Sequence, residues 1–364
     1  MNLDTLFDAA TTPRGKGTQR LVIRRPDDWH VHLRDGAMLR AVLPFTAAQF
    51  ARGIIMPNLV PPVTSVAAAQ AYRSRILAAR PAGSDFQPLM TCYLTDQTAA
   101  DEIEKGHAEG VWVAAKLYPA GATTNSHHGV RDLKAIRPVL ERMEKIGMPV
   151  LIHGEATDPA IDIFDRETVF MNEVLLPWLG EHPGLRVVIE HVTTEETVAI
   201  VRAHAPRVAG TITPHHLMIN RTSLFQGGLR PHFYCLPVAK REHHRLALRE
   251  AATSGDACFF IGTDTAPHTA RTKEASCGCA GVFAGATALQ TYVQVFDEEN
   301  ALDRFEAFAS RNGASFYGLP QNTGTIELQR RTGTMPAAVA VEDDNVVVFR
   351  GDEELPWSIG EIKP

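Results

Sequence analysis

The chain has 364 residues, of which 45% are hydrophobic, and this is enough for a large buried core. Such a length fits either two domains or one large α/β barrel. The formal net charge of −6 and the lack of a long basic run argue against a nucleic-acid partner or an anionic membrane surface.

Three further features narrow the class of protein. The longest apolar stretches are far shorter than a membrane span. Five cysteines scattered through a long chain argue against a disulfide framework. Residues 1–17 are polar and lack the basic-then-apolar order of a signal peptide, so we expect a cytoplasmic protein.

Eight short apolar runs alternate with segments that have helical patterning. The runs are Trp29–His32, Gly53–Met56, Leu89–Leu94, Val111–Leu117, Val150–His153, Val187–His191, Val208–Thr213 and Cys258–Gly262. The amphipathic stretches between them include Ser65–Ala79, Asp132–Ile146 and Thr194–His204. Apolar strands that alternate with helices predict a parallel sheet covered on both faces. Eight such units within about 240 residues match a (β/α)8 barrel of the TIM type.

We predict one catalytic domain over residues 1–364, with the barrel core at about 27–315 and short extensions packed on it. After the eighth run, Lys273–Gly281 is predicted to be a loop, because it is rich in small and polar residues. Gly285–Glu299 and Arg304–Arg311 are predicted helices. The tail from Pro320, which contains a strand-like run at 346–349, is predicted to decorate the barrel and to lack a second core.

Polar residues end most of the apolar runs. His30 and His32 stand in the first run, and Lys116, His153, His191 and Asp264 end the fourth, fifth, sixth and eighth runs. The carboxyl ends of all strands of a barrel meet on one face, where catalytic groups lie. These side chains should therefore converge despite their separation in the sequence. An open, doubly wound sheet is the alternative, and it would spread them along a line.

The converging residues are those that bind divalent metals. His30 and His32 alternate on one strand, so both side chains point to the same face, although a His-x-His pair alone is a weak signal. Each of the others has a simpler explanation when taken alone. His153 and His191 could be hydrogen-bonded histidines of the core, and Asp264 could cap the turn that follows it. Lys116 could extend from a strand end to solvent. Together they indicate a metal centre, because their meeting on one face by chance is improbable.

Lys116 is the most informative member of this set, because an ammonium beside two divalent cations is electrostatically unfavourable. If its amine reacts with carbon dioxide, the resulting N6-carboxylysine is an anion whose two oxygens can bridge metals about 3.5–4 Å apart. The remaining ligands would divide into His30, His32 and Asp264 for one ion and His153 and His191 for the other. Nitrogen and oxygen ligands suit two Zn²⁺ ions per subunit and do not exclude Co²⁺ or Mn²⁺.

The order of these residues resembles the amidohydrolase superfamily, and the closer resemblance is to its dihydroorotases, in the shorter bacterial form without a large flanking β domain. The matching stretches are Asp28–Gly36, Met56–Pro62, Ala115–Ala120, Pro214–Met218, Gly262–His268 and Ser276–Gly281. They extend over most of the chain, and as a set they are far more specific than any one of them.

This resemblance implies the reversible cyclisation of N-carbamoyl-L-aspartate to L-dihydroorotate, in the biosynthesis of pyrimidines. It implies that Asp264 moves the proton between the attacking water and the amide nitrogen. It also implies a cytoplasmic homodimer. The expected partner is this small-molecule substrate, and we expect neither a nucleic acid nor a membrane as a partner.

The substrate carries a carboxylate that does not react and that needs its own anchor. Arg34 is two residues beyond His32, so it can reach the same cavity and form a bidentate pair. A surface salt bridge between Arg34 and Asp35, or another neighbouring acid, is the alternative. The resemblance places the following residues at the substrate: Arg34, Asn58, Thr123, Thr124, His153, Leu236, His268 and Ala280. Leu236 and Ala280 would contact it through their backbone groups.

The segment 121–129 is longer than the usual connection in a barrel, and the resemblance makes it a lid that brings Thr123 and Thr124 to the substrate. His127 and His128 in it are predicted to be surface residues without a role in the site. Cys277 and Cys279 are too few for a structural metal site, and we predict that they belong to the loop that presents Ala280.

Two other functions remain open. One is a different cyclic amidase of the superfamily, acting on a hydantoin or allantoin ring, whose substrate need not carry the carboxylate that Arg34 would bind. The other is a barrel that has lost catalysis and serves as a structural partner, which the complete set of metal ligands disfavours.

Overall fold

A computed structural model describes residues 19–363 of the chain. Its strands are β1 (Arg20–Arg24), β2 (Asp28–Val31), β3 (Arg52–Ile55), β4 (Gln87–Tyr93), β5 (Trp112–Leu117), β6 (Val150–Ile152), β7 (Val187–Ile189), β8 (Val208–Ile212), β9 (Phe259–Ile261), β10 (Thr325–Gln329), β11 (Ala338–Val341), β12 (Asp344–Val347) and β13 (Ser358–Lys363). Its α-helices are α1 (Gly36–Gln49), α2 (Val66–Ala79), α3 (Ala100–Ala108), α4 (Arg137–Ile146), α5 (Arg166–Phe170), α6 (Leu176–Glu181), α7 (Glu195–Ala203), α8 (Pro214–Met218), α9 (Glu242–Thr253), α10 (Ala270–Lys273), α11 (Ala288–Glu298) and α12 (Asn312–Tyr317). Short 3₁₀ turns lie at Arg221–Leu224, Pro231–Phe233 and Leu302–Arg304, and π-helical turns at Met171–Leu175 and Ala307–Arg311.

Strands β2 to β9 form one parallel sheet in which each strand pairs with the next in chain order. The sheet closes on itself, because the His32 amide donates to the Thr265 carbonyl and the Asp264 amide donates to the His30 carbonyl. All eight predicted strands are present, and the predicted α/β barrel is confirmed. The doubly wound open sheet is excluded by this closure.

Two predicted helices begin where the sequence places an N-cap. The Ser65 side chain accepts the Ala68 amide at the start of α2, and the Thr194 side chain accepts the Thr197 amide at the start of α7. The predicted helix at 132–146 starts five residues later than expected, at Arg137, which is followed by a proline suited to a first helical turn.

An apolar layer fills the barrel below the carboxyl ends of the strands. Its members come from the strands, from the residue after β3 and from α12: Trp29, Ile54, Met56, Ala114, Leu151, Val188, Ala209, Phe260 and Ala314. The Trp29 ring stacks on Tyr317, with ring centres 4.7 Å apart. The amino-terminal end of the barrel is therefore filled, and the polar residues meet only at the opposite end.

The tail adds two small sheets to the outside of the barrel. Strand β10 pairs with β1 on one side and β13 on the other, and β11 pairs with β12 in a hairpin. Val346 and Met335 of the tail pack with Val42 and Phe45 of α1 in one apolar cluster. The single-domain organisation stays a prediction, since its N-terminal extension includes residues 1–18, which lie outside the described residues.

Two segments after β9 differ from expectation. The predicted helix Arg304–Arg311 is helical over residues 305–311, but residues 307–311 form a π-helical turn that leads into α12. Ser310 there donates to the Arg24 carbonyl and Asn312 donates to the Phe259 carbonyl, so contacts with the base of the barrel shape this segment. Lys273 ends the short helix α10, and the predicted loop begins only after it.

Two sequence-level exclusions can be compared with the structure. All five cysteines are free, as expected for a chain without a disulfide framework. Among residues 19–363, no helix combines the length and the apolar character needed to cross a bilayer.

Gly313 of α12 lies against the indole of Trp29, where an added Cβ would overlap the ring. Gly313→Ala should therefore displace the indole and lower the free energy of unfolding by about 1–3 kcal/mol. Gly180 of α6 is the matched control, because nothing lies within 4 Å of a Cβ built there. Urea denaturation of both variants measures the effect, and a Gly313→Ala protein as stable as Gly180→Ala would contradict this account of the packing.

Candidate active site

One cavity opens among the carboxyl ends of the barrel strands. It is lined by His30, His32, Arg34, Asn58, Tyr118, Thr123, Thr124, His153, His191, Leu236, Asp264, Ala266, Ala280 and Gly281. Every predicted site residue except Lys116 and His268 is in this lining. The last two lie directly behind it, Lys116 with its Nζ 5.0 Å from the Tyr118 ring centre and His268 beside Arg34.

Three buried donor atoms form a triangle at the end of β2. His30 Nε2 lies 3.2 Å from His32 Nε2, and Asp264 Oδ1 lies 3.3 Å from the first and 3.1 Å from the second. Donors around a tetrahedral ion with bonds of about 2.0–2.1 Å stand roughly 3.3 Å apart. The triangle therefore has the dimensions of a metal site.

A second group of buried residues adjoins this triangle. The His191 ring centre lies 5.1 Å from that of His30 and 4.8 Å from that of His153. His191 Nδ1 and Lys116 Nζ are buried and have no hydrogen-bond partner. Buried polar atoms are rarely left unpaired, so these two atoms fit a second ion and a modified lysine beside the first ion.

Burial sets the protonation of these groups. It lowers the pKa of Lys116 to about 8, although the charges of Glu190 and Asp264 oppose the shift. It also lowers the pKa of His32 to about 3 and holds that of His191 well below its usual value. These imidazoles are neutral, which is the form that binds a metal. Burial would raise the pKa of Asp264, but the interactions of its carboxylate with His30 and His32 outweigh this effect and hold that pKa well below its usual value.

Three acceptors orient the histidine rings from behind. Glu190 Oε2 lies 2.7 Å from His30 Nδ1, Asn58 Oδ1 lies 2.8 Å from His32 Nδ1, and Glu155 Oε2 lies 2.8 Å from His153 Nε2. Each acceptor holds a ring proton and leaves the other ring nitrogen unprotonated. The nitrogen free for a metal is therefore Nε2 in the first two rings and Nδ1 in His153.

Glu190 and Glu155 were missed by the sequence analysis. Glu190 receives a second bond, 2.7 Å long, from the Thr211 hydroxyl, which in turn accepts the His191 amide. Burial lowers the pKa of His30, but the charge of Glu190 outweighs this and raises it. The one signal in the sequence is that each glutamate stands within two residues of a predicted histidine ligand.

Arg34 points into the cavity with its guanidinium free of any carboxylate among residues 19–363. Its Nη2 donates to His268 Nε2 at 3.0 Å, and its Nε donates to the Pro267 carbonyl at 3.3 Å. Asp35 pairs with Arg75 instead, so the alternative of an Arg34–Asp35 salt bridge is wrong. Burial and the charges of Arg34 and Lys273 lower the pKa of His268 to about 2, so this ring is neutral.

The segment 121–129 contacts both sides of the cavity rim. The Thr124 hydroxyl donates to the Ala280 carbonyl at 3.2 Å, and Asn58 Nδ2 donates to the Thr124 carbonyl at 3.2 Å. Asn58 thus joins His32 to this segment as well as facing the cavity. His127 and His128 are exposed, as predicted.

A second buried cluster of metal-competent side chains lies behind Leu236 and consists of His215, His216 and Cys235. Both ring nitrogens of His216 already have partners, the Thr213 hydroxyl at 2.8 Å and the Pro237 carbonyl at 3.0 Å. His216 therefore holds the backbone at Pro237, next to Leu236, whereas both ring nitrogens of His215 are buried without a hydrogen-bond partner.

Comparison with known proteins finds one matching family and several similar proteins. The model of the amidohydrolase family matches residues 23–331. The chain is 60% identical over 342 residues to the dihydroorotase of Synechococcus sp. (strain RCC307), which covers 94% of this chain and 98% of that protein. The structure of dihydroorotase from Saccharomyces cerevisiae in complex with 5-fluoroorotic acid is similar with a TM-score of 0.89 and 29% identity, over 95% of this chain and 100% of that one. The structure of dihydroorotase from Campylobacter jejuni is similar with a TM-score of 0.85 and 30% identity, over 98% of this chain and 100% of that one.

Glu190→Gln removes the negative charge that holds the Nδ1 proton of His30 and keeps the size of the side chain. We expect the affinity of the site for Zn²⁺ to fall about 10–100-fold, because the imidazole becomes a weaker ligand. Glu327→Gln is the matched control, since Glu327 is also buried but lies on β10, remote from the cavity. Competition with a chelator measures the affinity, and equal values for the two variants would refute this role of Glu190.

Proposed function

The chain belongs to the amidohydrolase family and, within it, to the dihydroorotases, which hydrolyse a cyclic amide C–N bond. We propose that it interconverts N-carbamoyl-L-aspartate and L-dihydroorotate in the de novo biosynthesis of UMP. The observation that carries this proposal is the meeting, in one cavity, of a metal-sized donor triangle and an arginine without a carboxylate partner. The first suits hydrolysis of an amide, and the second suits a substrate that carries a carboxylate.

We assign two metal ions to the residues that converge at the strand ends. His30, His32 and Asp264 would hold one ion, and His153 and His191 the other, with Lys116 as a bridging N6-carboxylysine formed from carbon dioxide. The unpartnered Nζ of Lys116 and Nδ1 of His191 support this assignment. Zn²⁺ suits the nitrogen and oxygen ligands, as Co²⁺ or Mn²⁺ also would. Such a pair, when bound, polarises a carbonyl and lowers the pKa of water.

Asp264 is the proton carrier of the proposed reaction. In ring opening, its carboxylate takes the proton of the attacking water and gives it to the departing amide nitrogen. In ring closure, it first takes the proton from the carbamoyl nitrogen. Its depressed pKa keeps the carboxylate ionised.

Arg34 anchors the carboxylate that does not react. Its guanidinium donates to a neutral His268 and to a backbone carbonyl, so N–H groups of the fork remain for a bidentate pair with substrate. Asn58, His153, Thr123 and Thr124 line the same cavity, and we include them in the proposed substrate site. The backbone at Leu236 and Ala280 would contact the ring. A cytoplasmic homodimer is part of the same proposal.

The metal-replete protein should open L-dihydroorotate and close N-carbamoyl-L-aspartate, whereas hydantoins should be poor substrates. Arg34→Met should raise the KM for dihydroorotate roughly 10–100-fold, because a buried carboxylate loses its charged hydrogen bonds. Arg75→Met, at an exposed arginine that pairs with Asp35, is the control and should leave KM unchanged. Steady-state assays measure both values. Turnover of hydantoins alone would overturn the proposed substrate.

Asp264→Asn should lower kcat about 10²–10⁴-fold in both directions, because the amide cannot take up the proton. Much of the bound metal should remain, since the other ligands are unchanged. Asp297→Asn, at a carboxylate that bonds Trp357 and Arg330 away from the cavity, is the control. Rates and metal content measured together test the assignment, and an unaltered kcat in the metal-loaded Asp264→Asn protein would remove its role in proton transfer.

A further inference from the structure

Lys273 is a buried lysine whose ammonium has three backbone acceptors. Its Nζ donates to the carbonyl oxygens of Tyr234 at 2.7 Å, Cys279 at 2.9 Å and Gly281 at 2.8 Å. An ammonium has three protons, so all of them are used. The side chain is 3% exposed. Nothing in the proposed chemistry uses this lysine.

The three carbonyls belong to two backbone segments that reach the cavity. Tyr234 stands two residues before Leu236, and Cys279 and Gly281 stand on either side of Ala280. Leu236, Ala280 and Gly281 line the cavity. One direct bond also joins the segments, from the Gly281 amide to the Tyr234 carbonyl at 3.0 Å. The ammonium therefore links the segments at the point where both face the substrate.

The charge of Lys273 is not neutralised by an ion pair with any carboxylate of residues 19–363. Burial lowers its pKa to about 8, while the neighbouring thiols of Cys235 and Cys279 oppose the shift, so the ammonium is charged at neutral pH. The charge also reaches the proposed carboxylate site, because it contributes to the lowered pKa of His268. A buried cation that has no carboxylate partner among the described residues favours an anion in the adjoining cavity.

We propose that Lys273 is a positioning residue for substrate binding: its ammonium fixes the backbone at Leu236 and Ala280 in the form that contacts the ring, and its charge favours the anionic substrate. This inference rests on the proposed function. It assigns Lys273 no contact with the substrate and no part in proton transfer.

Lys273→Met keeps the length of the side chain and removes all three donors and the charge. We expect KM to rise about 10–100-fold in both directions, because misplaced contacts weaken binding. The kcat should fall less than about threefold, because Lys273 takes no part in proton transfer. The metal content should stay unchanged, because Lys273 hydrogen-bonds none of the proposed metal ligands. Lys240→Met is the matched control, at a lysine that is 4% exposed and donates to one carbonyl, that of Val238.

Three results would overturn the proposal. One is an unchanged KM in a folded Lys273→Met protein. Another is an equal rise of KM in Lys240→Met, which would indicate a general effect of removing a buried lysine. The third is a loss of kcat together with metal, which would place the effect at the metal centre. If Lys273→Met does not fold, Lys273→Gln retains two donors and should give a smaller rise of KM.

Amide hydrogen exchange without substrate tests the positioning separately from the reaction. Exchange within residues 276–282 should be at least about tenfold faster in Lys273→Met than in the unaltered protein, because those amides lose their anchor. Unchanged exchange would overturn the proposal. If the unaltered protein does not act on dihydroorotate, the proposed function fails, while faster exchange in the variant would still support the positioning.

Discussion

Closure of the eight-stranded sheet is the constraint on which the rest of the molecule depends. The closing hydrogen bonds run from the Asp264 amide to the His30 carbonyl and from the His32 amide to the Thr265 carbonyl. The same backbone bonds therefore join the first and last strands and set the donor triangle. Asp264, His191 and Arg34 have φ values of +44°, +44° and +57°, a region that side chains other than glycine rarely occupy. Such backbone strain collects at functional sites and is held by the surrounding fold.

The site also depends on hydrogen bonds that fix the polar groups around the cavity from the side that faces away from it. The far nitrogen of each oriented ring bonds a fixed acceptor, Glu190, Asn58 or Glu155. Lys273 does the same for the backbone, with three carbonyls on one ammonium. These contacts fix the orientation of the rings and of the backbone that line the cavity. Arg34 and Lys273 are cations without carboxylate partners among the described residues, and this arrangement suits an anionic substrate.

Much of the fold and the convergence of the candidate metal ligands could be predicted from the sequence, because both follow from strand patterning. The eight apolar runs correspond to β2–β9, and polar residues at their carboxyl ends converge, since a parallel barrel brings those ends together. Leu236 and Ala280 came only from the resemblance to a family, because contacts through the backbone leave no side-chain signal. Glu190 and Lys273 were missed, since their roles depend on hydrogen bonds to residues remote in the sequence. The π-helical turn at Ser310 was missed for the same reason.

The central claim is a binuclear centre bridged by a carboxylated Lys116, and one crystal structure tests it most directly. Anomalous diffraction from the metal-replete protein, combined with metal analysis of the same sample, would show the number of ions and the density at the Lys116 side chain. The account predicts two ions per subunit and density for a carbamate that extends from Nζ to both. An active protein with one ion, or with an unmodified Lys116, would contradict it.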